Sequence, residues 1–292
     1  MSEVVVLGAL ELGGIFAILS LGLYISYKVL NIPDLTVDGS FTLGTAVSAM
    51  FTINSLPYVG IIAAFIIGAI AGMVTGLLIT KLKISPLLSG ILTMTGLYSV
   101  NLAIMNDTPT ISLFDQTSIF SSFEGMGIFG KLVVIYIIVA LIVILLDLFL
   151  RTQLGLSLRA CGDNEDMVRA SSIDTNKMKV LGLAFANGLV SMSGAIFAQH
   201  QSFADVNSGI GMMVIGLASI IVGMTFIKNE KIIFQLVAVV IGSIFYRAVL
   251  TIALQLGLPS GYLKLLSALI VIVAIASTNG AFKSKKRGRG VC

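Results

Sequence analysis

The side chains best able to do chemistry here are ionisable or amide-bearing residues set among apolar ones. Glu11 and Arg247 each interrupt a long apolar run. A charge inside such a run is costly and is a functional candidate by default. If both runs cross a membrane, Glu11 lies about seven residues and Arg247 about nine from the same outer end, and at ~1.5 Å per residue those depths match. The expectation is that they pair, each relieving the other's desolvation. A pair that holds two helices together is the plainer reading, and a transport role is the other. Asp34, Asp38, Asp205 and Asn207 sit in polar, Gly-containing stretches just before apolar runs, and Ser40, Asn101 and Asn187 lie within runs. Such residues either line a pathway, where irregular backbone is tolerated at membrane depth, or cap helices and bond them to one another. Capping is the expectation for Asp38.

A second group lies in the mixed-charge stretch 151–179. Asp163 or Asn164 can cap a short helix there, and acids at its start with Arg169 near its end suit the helix dipole. Leu158, Met167, Val168 and Ile173 offer it an apolar face. Such a helix can lie on a membrane or dock in a partner's groove. Other chemistries find no support. His200 has no second His and no Cys nearby, so no metal site is expected. There is no G-x-x-x-x-G-K-[ST] loop, so any ATP must be bound by another subunit.

The elements that must position these residues are membrane helices. Of the 292 residues, 57% are hydrophobic and 11% charged, against roughly 25% charged in soluble proteins. The mean hydropathy is +1.05. Nine apolar runs, about 4–27, 39–56, 58–80, 86–105, 131–150, 180–201, 209–227, 232–256 and 262–278, are mostly near the ~20 residues that span a bilayer. The expected fold is an all-α, polytopic membrane protein of about nine spans. Met1-Ser2-Glu3 carries no basic region, so the first run is expected to remain in the mature protein. With the basic tail 283–292 in the cytoplasm, alternation puts 15 of the 18 Lys and Arg residues inside. Lys131 and Lys264 fall outside and Arg247 within a span. The positive-inside rule therefore sets the N-terminus outside and the C-terminus inside. Dispersed basic residues are a topology signal and do not point to nucleic acid. Cys161 and Cys292 both fall on the reducing side, so no disulfide is expected. The stretches Asp34–Gly44 and Asp205–Gly216 share an Asp followed by Gly-x4-Gly and lead spans of opposite direction. That is either an inverted repeat of the transporter kind or a coincidence of Gly-rich helix starts.

The stretch Leu158-Arg159-Ala160-Cys161-Gly162-Asp163-Asn164-Glu165, with Arg169-Ala170 and Ile173-Asp174-Thr175, resembles the cytoplasmic loop of bacterial ABC importer permeases of the branched-chain amino acid and ribose class. Gly182-Leu183, Asn187-Gly188-Leu189, Ser193-Gly194-Ala195, Gln199, Ala204-Asp205-Val206 and Gly216-Leu217-Ala218 continue the likeness. Asp34-Leu35-Thr36-Val37-Asp38-Gly39-Ser40-Phe41 narrows it to permeases of tryptophan/tyrosine transport systems. Cys161 and Gly223-Met224 depart from that pattern, where a small residue or Thr and Gly-Glu are usual. The resemblance implies one permease domain over 1–282 in the bacterial plasma membrane. It implies a second copy of the chain, a lipoprotein or periplasmic binding protein outside, and ATPase subunits inside that hold the ATP and Mg. Arg159, Gly162, Asp163, Asn164, Glu165 and Arg169 become the coupling segment, with Gly162 allowing a tight turn and the charged residues contacting the ATPase. An ion-coupled secondary transporter is the alternative. A membrane enzyme or channel would need clusters or filter motifs that the sequence lacks.

Overall fold

The computed structural model describes residues 3–121, 129–227, 229 and 231–278. The basic tail 283–292, Glu124 and Lys228 lie outside the described residues. Each apolar run forms a helix: α1 (Glu3–Leu23), α2 (Thr36–Ile53), α3 (Pro57–Thr80), α4 (Pro86–Ile104) and α5 (Gly130–Arg151) come first. The mixed-charge stretch then folds as two short helices, α6 (Gln153–Asp163) and α7 (Glu165–Ala170). After them come α8 (Thr175–Gln201), α9 (Met212–Phe226), α10 (Ile232–Gln255) and α11 (Leu263–Thr278). A π-helical segment, Tyr24–Val29, extends α1. Prolines occupy the first turns of α3 and α4, where a missing N–H costs nothing.

Six helical segments are long and apolar enough to cross a membrane: Val5–Val29, Pro57–Thr80, Pro86–Ile104, Gly130–Arg151, Thr175–Gln201 and Ile232–Gln255. Met212–Phe226 is a shorter apolar helix. The chain is a multi-pass membrane protein. The shortfall from nine runs has a physical cause in α2. Protein surrounds that helix, so Thr36, Ser40, Thr42, Thr45, Ser48 and Thr52 are buried there without facing lipid, and its polar residues bond to neighbouring groups. Among the described residues the fold departs from all-α in one place. Strands β1 (Thr110–Ser112) and β2 (Phe203–Asp205) pair antiparallel, Ile111 opposite Ala204.

Helix α8 is the axis of the fold. It packs along α3, α2 and α1, while α1 packs in turn on α10, α9 and α5. Close approach depends on small residues, because membrane helices gain stability from backbone-to-backbone packing. A Cβ on Gly44 would collide with the Ser191 carbonyl. The core around this axis is built from Ile15, Leu19, Phe41, Leu183 and Val190, all fully or almost fully buried.

Candidate functional site

Two polar regions stand out, one in the helix core and one at the α6–α7 end. In the core, the turn before α2 places Asp34 beside α8. The Asp34 Oδ1 atom accepts from the Thr36 backbone N–H at 2.9 Å, and Oδ2 accepts from Asn187 Nδ2 at 2.6 Å. Asn187 Oδ1 accepts from Ser40 Oγ at 2.7 Å, and Nδ2 also donates to the Leu183 carbonyl at 3.1 Å. The hydroxyls of Thr36, Thr75 and Thr93 continue the chain at 2.8 and 3.0 Å across α2, α3 and α4. Asp34, Ser40 and Asn187 have relative exposures of at most 1%. These three expected pathway residues are therefore brought together as a hydrogen-bonded clamp enclosed by protein. Buried polar groups must be bonded in this way or the fold loses their solvation without return.

Asp38 meets a different fate. Its carboxylate accepts from the backbone N–H of Gly211 at 2.9 Å and of Met213 at 2.8 Å. It caps a helix as expected, but the helix is α9 and not its own. Thr42 Oγ1 accepts from Gly209 N at 3.1 Å beside it. Asp38, Asn101 and Asn207 line one cavity of ≈ 250 Å³ between α2, α4 and the segment before α9. Asn101 is 1% exposed and donates to the Gly39 carbonyl at 3.3 Å. Asp205 lies outside that lining. Its Oδ1 accepts from Asn207 N at 2.7 Å and its Oδ2 from Thr110 Oγ1 at 2.9 Å, which ties the strand ribbon together. Asp34 and Asp205 thus make the same turn, each accepting from the N–H two residues on.

At the α6–α7 end, Asn164 is the cap, accepting from Met167 N at 3.0 Å. Asp163 ends α6. Glu165 is drawn back towards the protein. Its carboxylate lies 2.6 Å from Lys179 Nζ and 2.8 Å from Arg169 Nη2, and it accepts from Thr175 Oγ1 at 3.2 Å. The Lys179 hydrogen bond holds this carboxyl below the usual glutamate range, against the opposing effect of burial. Cys161 is buried, and burial pushes its thiol up. Met167 (69% exposed), Asp163, Asn164 and Asp166 face outward, and Arg159 is half-buried. Gly162 corrects an expectation. It sits inside helix α6, not in a tight turn, and a Cβ there would strike the Val29 carbonyl at the end of the π-helical segment. Its role is close approach.

The expected Glu11–Arg247 pair is also corrected. Glu11 Oε2 lies 2.8 Å from His200 Nε2, and the Phe120 ring meets the imidazole edge-on at 5.9 Å. Arg247 instead sits over the Phe16 ring, its guanidinium carbon 5.6 Å from the centroid. Equal depth along two helices does not make them face each other. Helices α1 and α10 do pack on each other, but Glu11 points to the last turn of α8, and a His at the end of a long helix gives no sequence signal of its partner. Lys179 and Thr175 were missed for a similar reason. They are 14 and 10 residues from Glu165 and meet it only because the chain folds back between α7 and α8. Among the described residues no cluster of three His, Cys, Asp or Glu side chains is placed to hold a metal ion.

Comparison with known proteins gives the arrangement its context. The family described as branched-chain amino acid transport system, permease component, matches residues 5–275. The chain is similar to a tyrosine transport system permease protein of Clostridioides difficile, 42% identical over 93% of this chain and 90% of that protein. It is also similar to a ribose import permease protein of Haemophilus influenzae, 25% identical over 94% and 84%, and to one of Escherichia coli K12, 26% identical over 84% and 77%. No solved structure matches the chain.

Proposed function

Because this chain belongs to the family of branched-chain amino acid transport system permease components, we propose that it is the membrane pathway of an ATP-driven ABC importer. The solute is an amino acid, and the name of its 42%-identical relative favours an aromatic one. Two copies form the pathway. A binding protein or lipoprotein delivers solute outside, and ATPase subunits holding ATP and Mg dock inside. The chain itself supplies transport and no ATPase site. In this reading all nine helices matching the apolar runs span the bacterial plasma membrane, N-terminus outside and C-terminus in the cytoplasm. The matching turns at Asp34 and Asp205 support an inverted repeat.

The observation that carries this reading is the α6–α7 segment. It presents Met167, Asp163 and Asp166 outward while Glu165 fastens it to α8. An exposed apolar knob ringed by acids on a short helix suits a partner's groove. Helix α8 would carry the partner's movement to the core clamp through Asn187. The test is purification of the tagged chain from its native membrane. A stoichiometric ATPase should accompany it and be lost in Met167→Asp with the fold intact. Purification alone, with transport that persists without ATP, would remove this reading.

An ion-coupled carrier is the second reading, and the buried Glu11–His200 contact is the observation in its favour. Transport abolished by a protonophore but not by ATP depletion would establish it.

A further inference from the structure

The cavity between α2, α4 and the segment before α9 is lined by a buried acceptor that no donor among the described residues reaches. Asn101 Oδ1 is buried and has no hydrogen-bond partner among the described residues, while the amide's other end is fixed by its bond to the Gly39 carbonyl. That bond also sets the amide's orientation, since a flipped amide would oppose two oxygens. The hydroxyls that could have served Asn101 are committed elsewhere: Thr42 donates to the Asp38 carbonyl and Thr95 to the Ile91 carbonyl. The lining contains one acid, Asp38, and no Lys or Arg. A buried acceptor without a donor is costly unless a ligand or water completes it. The volume of ≈ 250 Å³ lies just below the ~300–1,000 Å³ of sites for drug-sized ligands, which suits a single amino acid. Tyr98, Met94 and Ile210 supply its apolar walls.

We propose that this cavity is a transit site for the ammonium end of the transported solute, with Asn101 Oδ1 as a direct acceptor and Asp38 as the neighbouring charge. The proposal rests on the amino-acid reading of the function and sharpens it. An ammonium brings three donors and a positive charge to a place that has acceptors and a negative one. A carboxylate finds no cation there and must point out of the cavity. Asp38 shares its charge with the start of α9, whose free N–H groups it caps, so the site is weak, as a passage site must be if solute is to leave it. A sugar offers donors without charge and gains less.

Four probes give the first test: tyrosine, tyramine, 3-(4-hydroxyphenyl)propionate and ribose. Saturation-transfer NMR would be run on the chain purified in nanodiscs with its accompanying subunits and without binding protein. Tyrosine and tyramine should receive saturation, and the deaminated acid and ribose should not. Asn101→Leu should weaken tyramine binding about tenfold or more, the scale of one lost hydrogen bond to a charged group. Asn101→Asp, which keeps an acceptor, should retain it. The proposal is overturned if the deaminated acid binds as well as tyramine, if tyramine gives no signal at millimolar concentration, or if Asn101→Leu binds it normally. Ribose binding in place of tyrosine would sink the amino-acid reading along with it. Tyrosine uptake by the whole transporter, with tyramine binding indifferent to Asn101, would sink the site alone.

Discussion

Glu165 Oε2 and Lys179 Nζ stand 2.6 Å apart, joining the short helix α7 to the first turns of α8 across the fold-back between them. Both side chains are partly exposed, 33% and 20%, and pairs of that kind contribute only ~0–1 kcal/mol to stability. In the proposed importer they link the coupling segment to α8, which runs on into the core clamp at Asn187. Lys179→Met should leave folding nearly unchanged but reduce the dependence of ATP hydrolysis on transported solute. The reversed pair, Glu165→Lys with Lys179→Glu, should recover part of it. ATPase assays with and without loaded binding protein would read this, and full coupling in Lys179→Met would refute the linkage.

The same contact fixes a pH dependence. The Lys179 hydrogen bond lowers the Glu165 pKa in the folded state. Its stabilising contribution is therefore complete above the unfolded value of about 4.3 and fades as pH falls through the folded value. Thermal unfolding of the wild type and Glu165→Gln should differ at pH 6 and converge as the medium is acidified below pH 4. A difference that grows with acid would have the wrong sign.

Gly162 sets two effects against each other. Alanine is favoured over glycine by ~1 kcal/mol inside a helix, but its Cβ at this position meets the Val29 carbonyl. Forcing atoms into a packed contact costs ~1–3 kcal/mol, so the contact should win. Gly162→Ala is expected to lower the melting temperature. A stabilised variant would mean that α6 does not rest on the π-helical segment.

Glu11, His200 and Arg247 can be ranked by double-mutant cycles. Glu11→Gln combined with His200→Gln should show a coupling of ~1 kcal/mol or more, as expected for groups in contact. The cycle of Glu11 with Arg247 should be additive within ~0.5 kcal/mol. Unfolding in detergent measures both, and the reverse ranking would restore the pairing that helix depth alone suggests.

Asn187→Leu should be among the most damaging single changes in the chain. It leaves Asp34 Oδ2 and the Ser40 hydroxyl without the partner they now share, and each buried polar group left unsatisfied costs ~1–3 kcal/mol. A variant that unfolds within a few degrees of the wild type would show that water replaces the amide there.

Sequence alone determined the membrane class, the position of every apolar helix, the short capped helix after residue 163 and the family. These follow from local properties: hydropathy, the period of apolar residues, caps within a few residues of what they cap, and motifs that are contiguous in the chain. It also singled out Asp38, Asn101 and Asn207, because a polar residue in an apolar run is conspicuous wherever it points. Only the tertiary structure decided what each of them does. Asp34 and Asn187 are 153 residues apart, and Asp38 lies 175 residues before the Met213 N–H it caps. Glu11 turned to His200 instead of Arg247 because depth along a helix says nothing of rotation about it. The six buried Ser and Thr residues of α2 lower its apolar character, and only the structure shows that its surroundings are protein. Direction about a helix axis and partners far along the chain are set by packing, which no local pattern encodes.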